Sequence, residues 1–337
     1  MTHNRLDKVC CFGELLLRFA LPQQWISQQN LSYYIGGAEL NVATALAQWG
    51  INTSYITSFP DNYIGNELVT YMNNIGISTQ NILYSGKRIG TYYLPVGNDV
   101  KSQGVIYDRE YSSFSMLKTG MIDWDAVLHD CTWFHFSAIS PALNSNVALV
   151  CKEAVEAADA KGLKISVDLN FRSKLWKYDI KPPEVMRDIV KHCDVIMGNM
   201  WSAESLLGIE SPIKNSIDVP ESVLSEGAIE SMNMLQESFP KANTIAYTHR
   251  FTDKYWGIMQ QNGRSFISDV YKLEDTIGPV GSGDCFIAGL IYALVSNFEP
   301  KEIVDFATSA AVGKLYETGD ATKQSIEYIK ERMYGNK

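Results

Sequence analysis

Gly281-Ser282-Gly283-Asp284 runs directly into the apolar stretch Cys285-Phe286-Ile287-Ala288-Gly289-Leu290-Ile291. Two glycines and a small hydroxyl residue let the chain turn tightly, and the apolar run has the pattern of a buried helix. The first N–H groups of such a helix have no partner inside it, so the turn is a seat for an anion such as a phosphate. Asp284 stands at the helix entrance, where a carboxylate either caps the N-terminus or takes a proton from an attacking hydroxyl. On these four residues alone an ordinary Asp cap is the simpler reading. The rest of the chain decides between the two.

At 337 residues, 46% hydrophobic and 20% charged, the composition is that of a globular protein with room for one large α/β core or two domains. A net charge of −9 speaks against a nucleic-acid partner and offers no basic stretch to a membrane surface. No run reaches transmembrane length and no apolar signal core follows Met1-Thr2-His3-Asn4-Arg5, so a cytoplasmic protein is expected. The cysteines at 10, 11, 131, 151, 193 and 285 are scattered without CxxC spacing, which reads as core thiols rather than a zinc site.

Outward from the glycine turn, the chain alternates strands and helices. Val9 to Arg18 reads as a buried opening strand interrupted at Gly13-Glu14, and Glu14 needs a partner there. Gly36-Gly37 then opens a helix that Gly50 closes; the pair lets backbone approach a ligand, with Asn41 looking back from the first turn. A strand from Thr53 to Ser58, a turn at Pro60-Asp61-Asn62 and a helix from Gly65 to Asn74 set a β-α-β rhythm. Between Gly90 and Met116 the period changes: Thr91 to Val96, a Gly97-Asn98-Asp99 turn and Val105 to Tyr111 form a strand pair. This is a small β lid on the α/β domain or a plain exposed hairpin. Tyr107 and Arg109 share a face at period two, a phenol beside a guanidinium that suits a carboxylate or a polyhydroxylated chain.

Farther on, strands are expected from Trp133 to Ser137, Lys164 to Arg172, Asp194 to Gly198 and Thr244 to Thr248. Helices are expected from Asn144 to Lys161, around Ser202 to Leu207, from Cys285 to Asn297 and from Lys301 to Tyr316. Glu210 to Ser225 reads as a surface insertion. Ligands gather outside the carboxyl ends of such strands, which makes Asp168, Asn170 and Arg172 candidates, with an internal Asp–Arg ion pair as the alternative. The turn Glu317-Thr318-Gly319-Asp320 is placed to reach the same cleft.

Taken together and in this order, GGAELNVATALAQWG, DLNFR and GSGDCFIAGL resemble the ribokinase-like (PfkB) carbohydrate kinase family over nearly the whole chain. GTYYLP followed by YDRE, with DLNFRSKLW further on, is most similar to the 2-keto-3-deoxygluconate kinases of that family. The resemblance implies a three-layer α/β/α fold with a mostly parallel sheet, one kinase domain over residues 1–337, and a β-sheet lid from segments of about 12–35 and 89–116 that also forms a homodimer contact. It implies ATP-dependent phosphorylation of a sugar-acid primary hydroxyl, 2-keto-3-deoxygluconate to its 6-phosphate, with Mg²⁺ and a possible monovalent cation. Asp284 matches the catalytic base, and the N–H groups of Gly281, Ser282 and Gly283 match the anion hole. Gly36, Gly37 and Asn41 match the sugar corner. Tyr93 (or Tyr92, one position away), Tyr107, Arg109 and Arg172 resemble the acid-holding residues, and Asp320 a carboxylate near the sugar. Asn199, Ser202, Thr248, Arg250, Gly281 and Gly283 fall to the nucleotide, with Glu204 as the metal candidate.

The chain departs from the family in three places. DTxGAGD has Gly278 where its first Asp belongs, with Asp275 three residues earlier. NxxE reads Asn199-Met200-Trp201-Ser202, with Glu204 two residues late. TxG reads Thr248-His249-Arg250, and Arg250 is positioned to meet a phosphate. The alternatives are a fructokinase or another sugar kinase of the same fold, and a catalytically weak relative that only binds a sugar acid.

Overall fold

The computed structural model describes residues 7–96 and 104–335, so the turn expected at Gly97-Asn98-Asp99 lies outside the described residues. Short apolar runs build its centre. Val9, Cys10, Cys11 and Phe12 are wholly buried, as strands covered by helices on both faces must be. They form the strand Lys8–Phe12, which pairs in parallel with Asn52–Ile56 on one side and Trp133–Ser137 on the other. Beyond Trp133–Ser137 follow Lys164–Asp168, Val195–Gly198 and Thr244–Arg250, all parallel; beyond Asn52–Ile56 lies Ile77–Ser78. The antiparallel strands Lys254–Gln261 and Arg264–Ile267 complete one edge of a 10-stranded sheet, with Tyr271–Lys272 paired on Lys254–Gln261. Apolar residues of the flanking helices fill a core on each face. The chain winds outward in both directions from Lys8–Phe12, and a crevice opens at the carboxyl ends beside that reversal.

A separate four-stranded sheet stands over the crevice, in the order Tyr33–Gly36, Leu16–Leu21, Gly90–Pro95, Ile106–Asp108. The expected strand pair is present, and two further strands join it. The run from Val9 to Arg18 divides accordingly, Lys8–Phe12 entering the large sheet and Leu16–Leu21 the small one. Gly13 makes the break possible, because a side chain there would collide with the Glu39 carboxylate.

Other boundaries move for local reasons. Lys164–Asp168 stops before Asn170, and Leu169 N–H bonds instead to the Met197 carbonyl at 2.7 Å, which frees the next residues to line the crevice. The expected surface insertion at 210–225 ends early. Glu221 begins the helix Glu221–Ser238, which buries Leu224, Ala228, Met232 and Leu235 at helical spacing. All six cysteines are buried and unpaired with one another. Among the described residues no helix is long and apolar enough to cross a membrane.

Candidate active site

The helix Ser282–Val295 starts at Gly281, whose φ of 80° lies in the left-handed region. A Cβ on Gly281 would run into the Asp320 carbonyl, so only glycine fits both the turn and the contact. Among the described residues the N–H groups of Gly281, Gly283 and Asp284 make no hydrogen bond and are left for a ligand. Ser282 departs from expectation. Its N–H and its Oγ both turn to the Pro279 carbonyl, at 3.3 and 3.0 Å, so the unbonded N–H groups of this turn are those of Gly281, Gly283 and Asp284.

Asp284 projects from the first turn of this helix into a cavity of about 370 Å³ between the large and small sheets. Asn41 Nδ2 donates to its Oδ2 at 2.7 Å. Burial pushes the carboxyl up to about 7; the Asn41 hydrogen bond and the charge of Arg172 pull it down, while Glu39 and Asp320 push it further up. A carboxyl titrating near neutrality is suited to take and release a proton.

Gly37, the N-cap of the helix Ala38–Gln48, has φ 137° and would bring a Cβ within 2.5 Å of the Glu14 carbonyl. This close approach sets Asn41 opposite Asp284. Gly36 lies behind the wall, where a side chain would meet the Asp320 carboxylate. Glu39 of the same helix is buried and accepts from Ser137 N–H, Ser137 Oγ and Ser140 Oγ at 3.1, 2.6 and 3.2 Å. Burial raises its carboxyl above the ordinary range.

The arginines fall into different settings. Arg109 lines the cavity, but its Nε donates to Glu14 Oε2 at 2.6 Å and Ser112 holds the other oxygen of that carboxylate. The partner that Glu14 requires is therefore a residue expected to hold substrate. Arg18 is paired in the same way, at 2.6 Å, with Asp320, which also accepts from Tyr92 at 3.0 Å. Arg172 is half-buried, lines the cavity and donates to the Phe171 carbonyl at 3.3 Å; among the described residues no carboxylate lies within ion-pair distance of it.

Tyr92, not Tyr93, faces the cavity. Neighbouring residues of a strand point to opposite faces, and Tyr93 stacks on Phe19 across the sheet, with ring centroids 5.4 Å apart. Tyr107 stands opposite Tyr92 in register and lines the cavity with it.

At the other end of the cavity lie Asn199, Ser202, Thr248 and Arg250. Asn199 and Ser202 form a reciprocal capping box on the helix Met200–Leu207, each side chain taking the other's backbone N–H at 2.9 Å. Ser202 thus satisfies the helix start in the position where the family pattern has a glutamate. Glu204 is on the outer side of this helix and pairs with Lys214 at 2.6 Å, outside the cavity, so it does not fit a metal-ligand role. Asp275 is exposed and also outside. Among the described residues no group of three or more His, Cys, Asp or Glu is gathered to hold a metal ion. Residues that sequence reasoning passed over are Arg18 and Glu39, while Tyr92 was the alternative to Tyr93. Glu39 carried a signal, a charged residue inside an otherwise apolar helix.

Residues 6–326 match the family model described as pfkB family carbohydrate kinase. The chain is 26% identical over 328 residues to a 2-dehydro-3-deoxygalactonokinase of Haloferax volcanii, covering 96% of each protein. It is 21% identical over 281 residues to a 5-dehydro-2-deoxygluconokinase of Geobacillus kaustophilus, covering 82% of this chain and 78% of that one. Its fold is similar to the crystal structure of 2-dehydro-3-deoxygluconokinase from Thermotoga maritima, with a TM-score of 0.86, 30% identity, and 97% of this chain and 99% of that chain covered.

Proposed function

The chain belongs to the pfkB family of carbohydrate kinases, and on that premise we propose that it transfers the γ-phosphoryl group of ATP to the primary hydroxyl of a keto-deoxy sugar acid, 2-keto-3-deoxygluconate foremost. The observation that carries the acid substrate is Arg172. It is an arginine on the cavity wall near Asp284 with no carboxylate partner among the described residues, whereas Arg18 and Arg109 are both neutralised. A planar guanidinium pairs with a carboxylate through two parallel hydrogen bonds, which a neutral sugar does not offer. The names of the similar kinases point to the same substrate class.

In this reading Asn41 holds Asp284 in one orientation and Asp284 takes the proton of the substrate hydroxyl as its oxygen attacks phosphorus. The N–H groups of Gly281, Gly283 and Asp284 receive the charge that moves onto the phosphoryl oxygens, and ADP leaves with the broken bridge oxygen. Positioning and charge supply most of the rate in such transfers. Thr248, Arg250 and Asn199 are at the end of the cavity where the nucleotide would lie. Mg²⁺, when bound with the nucleotide, neutralises phosphate charge. The small sheet acts as a lid that excludes water, and its outer face, with Tyr33 and Ile106 exposed, meets a second copy of the chain.

Replacing Arg172 by leucine tests the substrate class. A hydrogen bond to a charged group contributes about 1.5–3 kcal/mol, so kcat/KM for the sugar acid should fall roughly 10–100-fold. Turnover of a neutral ketose, if any, should change little. Equal loss for both substrates would remove the role given to Arg172.

A further inference from the structure

Lys314, in the last turn of the helix Pro300–Lys314, is 0% exposed. A buried ammonium ordinarily has a carboxylate beside it. Lys314 has none within ion-pair distance among the described residues, and Nζ instead donates to two backbone carbonyls, Gly319 at 3.0 Å and Glu317 at 3.3 Å. The carboxylate of Glu317 is turned away, occupied by Thr322 Oγ1 at 2.7 Å and Lys323 N–H at 2.9 Å. Burial lowers the ammonium's pKa, opposed by the carboxylates of Glu317, Asp320 and Asp284 nearby.

The stem of this side chain passes behind the phosphate seat. A Cβ on Gly281 would stand 3.3 Å from Lys314 Cε and would strike the Asp320 carbonyl. The same helix end holds the approach to the seat, since Ile277 and Gly278 N–H both bond to the Leu315 carbonyl, at 2.8 and 3.2 Å. The loop that Lys314 ties down therefore abuts Gly281 from behind and presents Asp320 to the cavity through Arg18 and Tyr92.

We propose that Lys314 is a positioning residue whose ammonium serves as an internal monovalent cation, gathering the Glu317 and Gly319 carbonyls behind Gly281 and so fixing the anion cradle and Asp320 together. The inference rests on the cradle being the phosphoryl site. A cation held by backbone carbonyls is a setting that a dissolved potassium or ammonium ion also accepts. Because the charge is built in, the wild-type chain needs no dissolved cation there.

The test is Lys314→Met, with two readouts in buffers of equal ionic strength containing either N-methyl-D-glucamine chloride or ammonium chloride. The first is ADP affinity by calorimetry, which does not depend on knowing the sugar; the second is kcat and KM where a sugar is turned over. Removing a group that orients a binding shell costs roughly 10–100-fold. We expect that loss in ADP affinity and in kcat, a smaller change in sugar KM, and recovery of at least severalfold with ammonium in the variant only. Wild-type ADP affinity in the variant, or a loss that ammonium does not touch in a protein that still melts cooperatively, overturns the proposal. If the variant does not fold, the wild type decides. ADP binding unchanged between the two salts supports the internal cation, and a severalfold gain with ammonium overturns it. Absence of turnover with every sugar would count against the sugar-acid reading alone, because the binding readout stands without it.

Discussion

The burial that raises the carboxyl of Asp284, the base of the proposed reaction, costs stability. That carboxyl is held near 7 in the folded chain and near 3.8 in an unfolded one, so between those values the folded state binds more protons. The contribution of this group is therefore most favourable below about pH 4, is lost as pH rises through the window, and is constant above about 7. Asp284→Asn removes the penalty. Denaturant unfolding should show the variant gaining on the wild type from pH 4 to pH 8, by up to about 4 kcal/mol at the upper end, while kcat falls about 10²–10⁴-fold. A gap independent of pH would contradict the burial of an ionised base. In the wild type kcat/KM should rise with pH to a plateau, with the limb near 7. Asn41→Ala deletes an interaction that favours the charged form and should move that limb to higher pH.

Glycine conformation and buried ion pairs set the elements around that residue. Gly281→Ala combines a strained φ with a collision at the Asp320 carbonyl, so it should weaken both folding and ADP binding, the strain alone costing about 1–3 kcal/mol. Arg18→Met strands Asp320 in a buried setting and should cost about 3–5 kcal/mol, read as a lower denaturant midpoint; an unchanged midpoint would contradict the pairing. Much at this scale was legible in the chain. The β-α-β rhythm, the glycine-opened helices and the small strand pair follow from period and turn residues. The antiparallel edge was legible too and was passed over: Asn262-Gly263, both at positive φ, is the two-residue hairpin signal between Lys254–Gln261 and Arg264–Ile267. What local pattern does not contain is partner choice. Arg109 looks like a substrate ligand until Glu14, 95 residues away, is seen to hold it. Likewise Tyr92 and Tyr93 differ only in which face of a strand each takes, and that is fixed by pairing with Leu16–Leu21.

At the scale of the whole molecule, the two sheets divide the work: the large one gathers Asp168, Asn199 and Thr248 at strand ends, and the small one brings Tyr92, Tyr107 and Arg109 down from above. If the small sheet docks on a second copy, as proposed, the chain should sediment as a dimer. Ile106→Lys, changing a residue 58% exposed on that sheet, should shift it toward monomer with the fold intact. A dimer unaffected by this change would place the contact elsewhere. The reaction itself is best put to ADP release from Mg-ATP with 2-keto-3-deoxygluconate, 2-keto-3-deoxygalactonate, fructose and ribose, the Asp284→Asn variant beside the wild type. Turnover of a keto-deoxy acid that disappears in the variant is the expected result; turnover of fructose or ribose alone, or an acid turnover that survives loss of the Asp284 carboxylate, would contradict it.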